Sequence, residues 1–248
     1  FDVSIGQIIA GDSRRERNPA LGMRSIRLTL KYERQYRAQI RALLRANFNG
    51  NLSIVIPMVS GAADARRVRS LIESEFESLH SKDSRLKIPS VGAMIELPSA
   101  VLTVDQILDE VDFVCIGTND LVQYTLGVDR DNETVADWYQ TLHPSILRSI
   151  RSVISSAADA NKPATVCGES AGSPFYLPLL LGLGVRRLSM NPSSIPSIIK
   201  YVQDIDIVEC QRLAEKLLTY SSSSQIEKCL AEFCYAIWPE LTGSRVNF

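Results

Sequence analysis

Along this chain, short apolar runs alternate with longer segments in which apolar residues recur every three or four positions. The short runs read as buried strands: L-S-I-V-I-P-M-V from Leu52, V-G-A-M-I-E-L-P from Val91, V-D-F-V-C-I-G from Val111, A-T-V-C-G-E from Ala164 and R-L-S-M from Arg187. A weaker strand pattern lies near residue 21 in L-G-M-R-S-I-R. Between them, Ala65, Val68, Ile72, Phe76 and Leu79 give one helix a buried stripe, and Ile146, Ile150, Val153, Ile154 and Ala157 give another. Strands alternating with amphipathic helices predict an α/β fold with a parallel sheet and crossover helices. From about Asp204 the pattern changes: residues 207–220 and 225–237 carry helical spacing, Ser221 to Ser224 form a polar break, and no strand follows. The expected organisation is a main domain over 1–205 and a helical extension over 206–248 packed on its outside. No period of about 20 to 50 residues repeats, which argues against a solenoid.

Composition narrows the class. The 248 residues include 27 Lys and Arg against 28 Asp and Glu, a formal net charge of −1 with no basic excess to recruit nucleic acid or an anionic membrane. No apolar run approaches the length of a membrane span, and F-D-V-S-I-G lacks the basic-then-apolar order of a secretory signal. The first residue is Phe1, which leads us to expect a chain processed or excised from something longer. Five cysteines, an odd number with no C-x-x-C pair and no histidine placed to complete a zinc site, fit a reduced cytoplasmic compartment. Four read as small apolar residues and Cys167 as the exception.

The candidate chemistry falls where strands end. Glu96 follows V-G-A-M-I, Asn119 and Asp120 follow F-V-C-I-G, and Cys167 follows A-T-V. In parallel α/β folds, and in barrels above all, active sites gather on the face formed by the strands' C-terminal ends. Arg24 and Arg130 can join them there, each a planar fork of donors suited to phosphate or carboxylate. Two carboxylates, two guanidiniums and an amide describe a site for a small, multiply charged anion held with a divalent cation. Carboxylate oxygens without histidine favour magnesium or manganese over zinc.

Read in order, N-P-A-L-G-M-R-S-I-R, I-E-L-P-S-A-V, D-F-V-C-I-G-T-N-D-L-V-Q-Y-T-L-G-V-D-R, V-C-G-E-S-A-G and L-L-L-G-L-G-V-R-R-L-S-M resemble the phosphoenolpyruvate-binding domain of the phosphoenolpyruvate-protein phosphotransferases, Enzyme I of the bacterial sugar phosphotransferase system. The resemblance runs from about residue 1 to 203. It implies a TIM (β/α)8-type barrel that binds phosphoenolpyruvate or pyruvate. It also implies that Glu96 and Asp120 bind Mg2+, that Arg24, Asn119, Asp120 and Arg130 contact substrate, and that Cys167 gives a proton to the methylene carbon. The partners it implies are a phosphohistidine domain, the histidine phosphocarrier protein and a second copy of the chain in a homodimer.

The departures from the family pattern are equally specific. Members carry an arginine before T-E and a second in R-T-x-D-x-G-G-D-K, and both grip the substrate phosphate. The chain opens in register just after the second, and Ser4, Ile5, Gly6 and Gln7 replace G-G-D-K. On this register the barrel lacks its first strand and most of its second, leaving an open sheet edge. Neither His80 nor His143 matches the family's phosphohistidine segment, and each reads as a surface or structural residue. Two functional readings stay open: the substrate domain of an Enzyme I type phosphotransferase, unable to turn over alone, and a truncated, catalytically silent relative acting as a binding or regulatory module. A pyruvate-handling lyase on a related barrel requires a base or metal pattern that the sequence does not show.

Overall fold

A computed structural model describes residues 18–242. Ser4 to Gln7, where the family tetrad is replaced, lie outside the described residues. Four strands form one parallel sheet: β1 (Ser53–Ile56), β2 (Ser90–Ile95), β3 (Phe113–Gly117) and β4 (Ala164–Cys167). Their spatial order is their chain order, with Ile56 beside Ala93, Ile95 beside Ile116 and Gly117 beside Cys167. Consecutive order with no reversal is the winding of a (β/α) barrel, whereas doubly wound sheets change direction at a switch point. Among the described residues the barrel is incomplete.

The R-L-S-M run is nearly lost as a strand. It contributes one parallel bridge, Val166 to Leu188, with Val166 N donating to Arg187 O (3.0 Å) and Ser189 N to Val166 O (2.9 Å). The strand expected near residue 21 is reduced to a single bridge residue, Arg24, ahead of a helix. A 3-10 turn at Pro19–Leu21 leads into α1 (Ser25–Lys31), followed by α2 (Glu33–Ala46). Ile26, Leu28 and Leu30 alternate as in a strand, yet wound helically the segment buries Ser25, Ile26, Leu28 and Thr29 together. Tertiary packing overrides the local pattern here.

The crossovers are α3 (Ala62–His80), α4 (Pro98–Leu102) with α5 (Val104–Glu110), α6 (Thr118–Leu126) with α7 (Pro144–Asp159), and α8 (Leu177–Gly182). Their apolar stripes cover one face of the sheet. Ile54, Ile56, Val91, Ala93, Ile95, Val114, Ile116 and Val166 are all buried, each Ile or Val side chain contributing roughly 1.5–3 kcal/mol. On the other face Val55, Met94, Cys115, Thr165 and Cys167 are only partly covered. Strand alternation thus separates a packed helix side from a half-open lumen side.

After α9 (Ile195–Val202) come α10 (Ile207–Leu218) and α11 (Ser223–Ile237). Asp206 caps α10 by accepting from Val208 N (2.7 Å) and Glu209 N (3.3 Å). Leu213, Leu217, Ile226, Leu230 and Trp238 join the same hydrophobic cluster as the strands. Phe175 meets Tyr235 edge-on at 5.9 Å, and Trp238 meets Tyr201 at 4.9 Å.

Candidate functional site at the C-terminal ends of the strands

Each strand delivers polar groups at or just past its C-terminal end. At the end of β1, Met58 takes a positive φ of 56° although its side chain is buried. That costly conformation aims its N–H at Glu96, donating to Oε1 at 2.6 Å. Glu96 follows β2 and is 4% exposed. Its Oε2 stands 2.9 Å from where a Cβ on Gly117 would lie, so the carboxylate abuts the turn that carries Thr118, Asn119 and Asp120.

That turn opens α6, and its contacts reach the next strand. Thr118 Oγ1 donates to Cys167 O (2.9 Å), and Glu169 N donates to Asn119 Oδ1 (3.3 Å). Tyr139 OH donates to the Asn119 carbonyl at 3.0 Å. Asn119 is therefore pinned through its main chain and amide oxygen, which leaves the amide NH2 as its outward donor. Cys167 Sγ lies 3.2 Å from Ile116 O and 3.6 Å from Met94 Sδ. Burial first, and then neighbouring Cys115 and Glu96, push its pKa up to about 12, so the group is a thiol at neutral pH.

Asp120 is 9% exposed and sits inside a small network. Gln123 and Tyr124 stand three and four residues further along α6, on its face. Gln123 Nε2 reaches Asp120 Oδ1 at 3.5 Å, while its Oε1 accepts from Arg130 N at 3.1 Å. Tyr124 OH accepts from Arg24 Nη1 (3.0 Å) and donates to Ala20 O (2.6 Å), and Arg24 Nη1 is 3.6 Å from Asp120 Oδ1. Arg130 can return toward the site because α6 ends at Gly127 in the left-handed region (φ 65°). Val128 N then closes onto Gln123 O at 3.0 Å and Asp129 Oδ1 takes Asp131 N at 3.1 Å. The Arg130 side chain is exposed and makes no ion pair among the described residues.

The six residues expected from sequence occupy one end of the sheet, with Glu96, Asn119, Asp120 and Cys167 on adjoining strand ends and Arg24 and Arg130 linked to Asp120 through Tyr124 and Gln123. Sequence reading missed Met58, Gln123, Tyr124 and Tyr139; the spacing of Gln123 and Tyr124 from Asp120 was the available signal. Among the described residues no group of three or more His, Cys, Asp or Glu side chains is arranged to hold a metal. Two buried carboxylates suit a hard cation that keeps several water or ligand oxygens, as Mg2+ does. A cavity of about 240 Å³ opens beside Thr118 and Asn119 and runs between α7 and α8, walled by Ile146, Leu147, Leu179 and Leu180. Neither Glu96, Asp120 nor Cys167 lines it.

A family model described as "PEP-utilising enzyme, PEP-binding domain", PEP being phosphoenolpyruvate, matches residues 4–207. The chain belongs to the PEP-utilising enzymes. It is 40% identical over 219 residues to a phosphoenolpyruvate-protein phosphotransferase of Listeria monocytogenes, covering 88% of this chain and 38% of that protein. It is 39% identical over 213 residues to the protein of that name from Bacillus subtilis, covering 86% and 37%. A Salmonella typhimurium protein named phosphoenolpyruvate-dependent phosphotransferase system is 38% identical over 220 residues, covering 88% and 29%. The chain thus spans 29 to 38% of the length of those relatives. Among solved structures, a citrate lyase from Burkholderia xenovorans shares the fold at a TM-score of 0.51 and 14% identity, covering 85% of this chain and 69% of that one. No helix among the described residues is long and apolar enough to cross a membrane.

Proposed function

We propose that this chain is the phosphoenolpyruvate-binding domain of a phosphoenolpyruvate-protein phosphotransferase that serves sugar transport in the cytoplasm. The observation that carries the reading is the convergence of Glu96, Asn119, Asp120 and Cys167 on three adjoining strand ends, with Arg24 and Arg130 tied to Asp120 from either side. The chain's own residues divide the work. Arg130 and Arg24 take the anionic oxygens of the substrate, and the Asn119 amide donates to one of them. Glu96 and Asp120 would hold Mg2+, which when bound supplies compensation for the negative charge that gathers as the phosphoryl group leaves.

When the P–O bond breaks, its electrons remain with the enol oxygen and the phosphoryl group passes to a histidine. His80 stacks on Phe76 (5.0 Å) with Nδ1 3.2 Å from Leu86 O, and His143 caps α7 through Nδ1, so neither is placed to accept it. We therefore place the acceptor on a phosphohistidine domain of another segment or chain, which would pass the group to the histidine phosphocarrier protein. Cys167 gives its S–H proton to C3 of the resulting enolate, forming the methyl group of pyruvate, and its thiolate is reprotonated from water. The barrel domains pair as a homodimer in this reading. Among the described residues, the partly covered lumen face and the unpaired edge of β1 favour the second reading, a silent binding module.

Calorimetric titration with phosphoenolpyruvate in the presence of Mg2+ separates the two. We expect saturable binding by the chain that is lost in Glu96→Ala and in Asp120→Ala. No detectable heat at millimolar ligand sinks the substrate-domain reading for this chain.

A further inference from the structure

Three sulfur-bearing side chains share the lumen face of the sheet. Met94 on β2 and Cys115 on β3 are register partners, so they leave the same face of adjacent strands, about 4.8 Å apart at the main chain. Cys167 ends β4 beside Gly117, which lies two residues beyond Cys115 and so on the same face. Gly117 has no side chain, and Met94 Sδ fills that space, 3.2 Å from where a Cβ would stand. The thioether thereby reaches across β3 to within 3.6 Å of Cys167 Sγ. After burial, Cys115 is the neighbour that most opposes ionisation of Cys167, which places the second thiol close to the first. All three residues are partly exposed.

We propose that Met94, Cys115 and Cys167 form a site for a soft monovalent cation, copper(I) by its chemistry, separate from the carboxylates that suit a hard one. Two sulfurs that share a metal at about 2.3 Å in a tetrahedral shell stand about 3.8 Å apart. The Met94–Cys167 separation is close to that spacing. Thiolate and thioether ligands select Cu(I), whereas the oxygens of Glu96 and Asp120 suit Mg2+. On binding, the cation displaces the Cys167 S–H proton to water and the thiolate cancels its charge, while Met94 and Cys115 add lone pairs from neutral sulfur. No electron changes hands. Occupancy also removes the proton that Cys167 gives to C3, a consequence that rests on the phosphoenolpyruvate reading; the cation site itself does not.

The test is calorimetric titration of the 248-residue chain with Ag+, a redox-inert cation of the same charge and softness, in nitrate buffer. Cys229, the other partly exposed cysteine, is replaced by serine throughout. One tight equivalent should bind, and millimolar Mg2+ should leave its affinity unchanged. Cys167→Ser should abolish it. Met94→Leu conserves volume and should weaken it by at least roughly tenfold, since losing even a supporting contact at a metal site typically costs 10–100-fold. Unchanged affinity in Met94→Leu overturns the proposal, because the ion then sits on a single thiol. So does a tight equivalent that persists in Cys167→Ser, or one that Mg2+ displaces. X-ray absorption at the silver edge reads the same point without a variant at the site: two or more sulfur neighbours are expected, and a shell with one sulfur or none overturns the site. No phosphoenolpyruvate takes part, so a failed substrate titration leaves these outcomes distinct.

Discussion

The Cys167 thiol ends β4 with its sulfur 3.2 Å from the Ile116 carbonyl, and its pKa is pushed up to about 12 by burial. A thiol held neutral suits a proton donor and makes a poor nucleophile. Alkylation of the native chain with iodoacetamide at pH 8 should therefore modify Cys167 at least ~100-fold more slowly than an exposed cysteine, as read by peptide mapping. Rapid labelling would show that the group ionises readily. Sequence exposed Cys167, Glu96, Asn119 and Asp120 because a polar residue just past an apolar run has few other places to be. Met58 escaped notice since it acts through its main-chain N–H, and Gln123 and Tyr124 because they touch site residues instead of any ligand.

Elements meet most tightly where α8 crosses α10. A Cβ on Gly182 would stand 2.0 Å from the Cys210 carbonyl oxygen and 2.7 Å from its carbon, and main chain cannot step aside as a flexible side chain can. Gly182→Ala should cost roughly 3 kcal/mol in urea unfolding, near the upper end for overpacking. A cost below about 0.5 kcal/mol would mean the helices do not approach this closely. The glycine was visible in L-L-L-G-L-G, but its reason was not, because the partner lies 28 residues on and no local pattern announces a crossing. The same limit explains α1. Ile26, Leu28 and Leu30 alternate as a strand would, and only the layer they pack into makes them helical. The four paired strands were legible because apolar runs bounded by polar turns have few alternatives.

For the molecule as a whole, one clamp gives a pH signature. Glu75 on α3 accepts from Arg37 (2.9 Å) and Arg41 (3.0 Å) on α2. Desolvation pushes the Glu75 carboxyl up, but the bonds from Arg37 and Arg41 outweigh it and its pKa is lowered from 4.5. A carboxylate depressed in the folded state adds stability that is complete above its unfolded pKa and disappears as pH falls through the folded one. Glu75→Gln should thus unfold more easily than the native chain at pH 7, by roughly 1–2 kcal/mol, and the difference should shrink as pH drops below about 4.5. Equal gaps at pH 7 and pH 3 would remove Glu75 from the acid response. A different consequence attaches to the left-handed cap at Gly127. By folding the chain back, it ties the Arg130 main chain through Gln123 to the nine-residue helix that carries Asp120. In the proposed reading the base of Arg130 thus keeps a set distance from Asp120, and its exposed side chain supplies the reach. If the proposed function holds, design toward a longer anion would work through the Arg130 side chain, whose main-chain anchor stays put while its own length sets how far it extends.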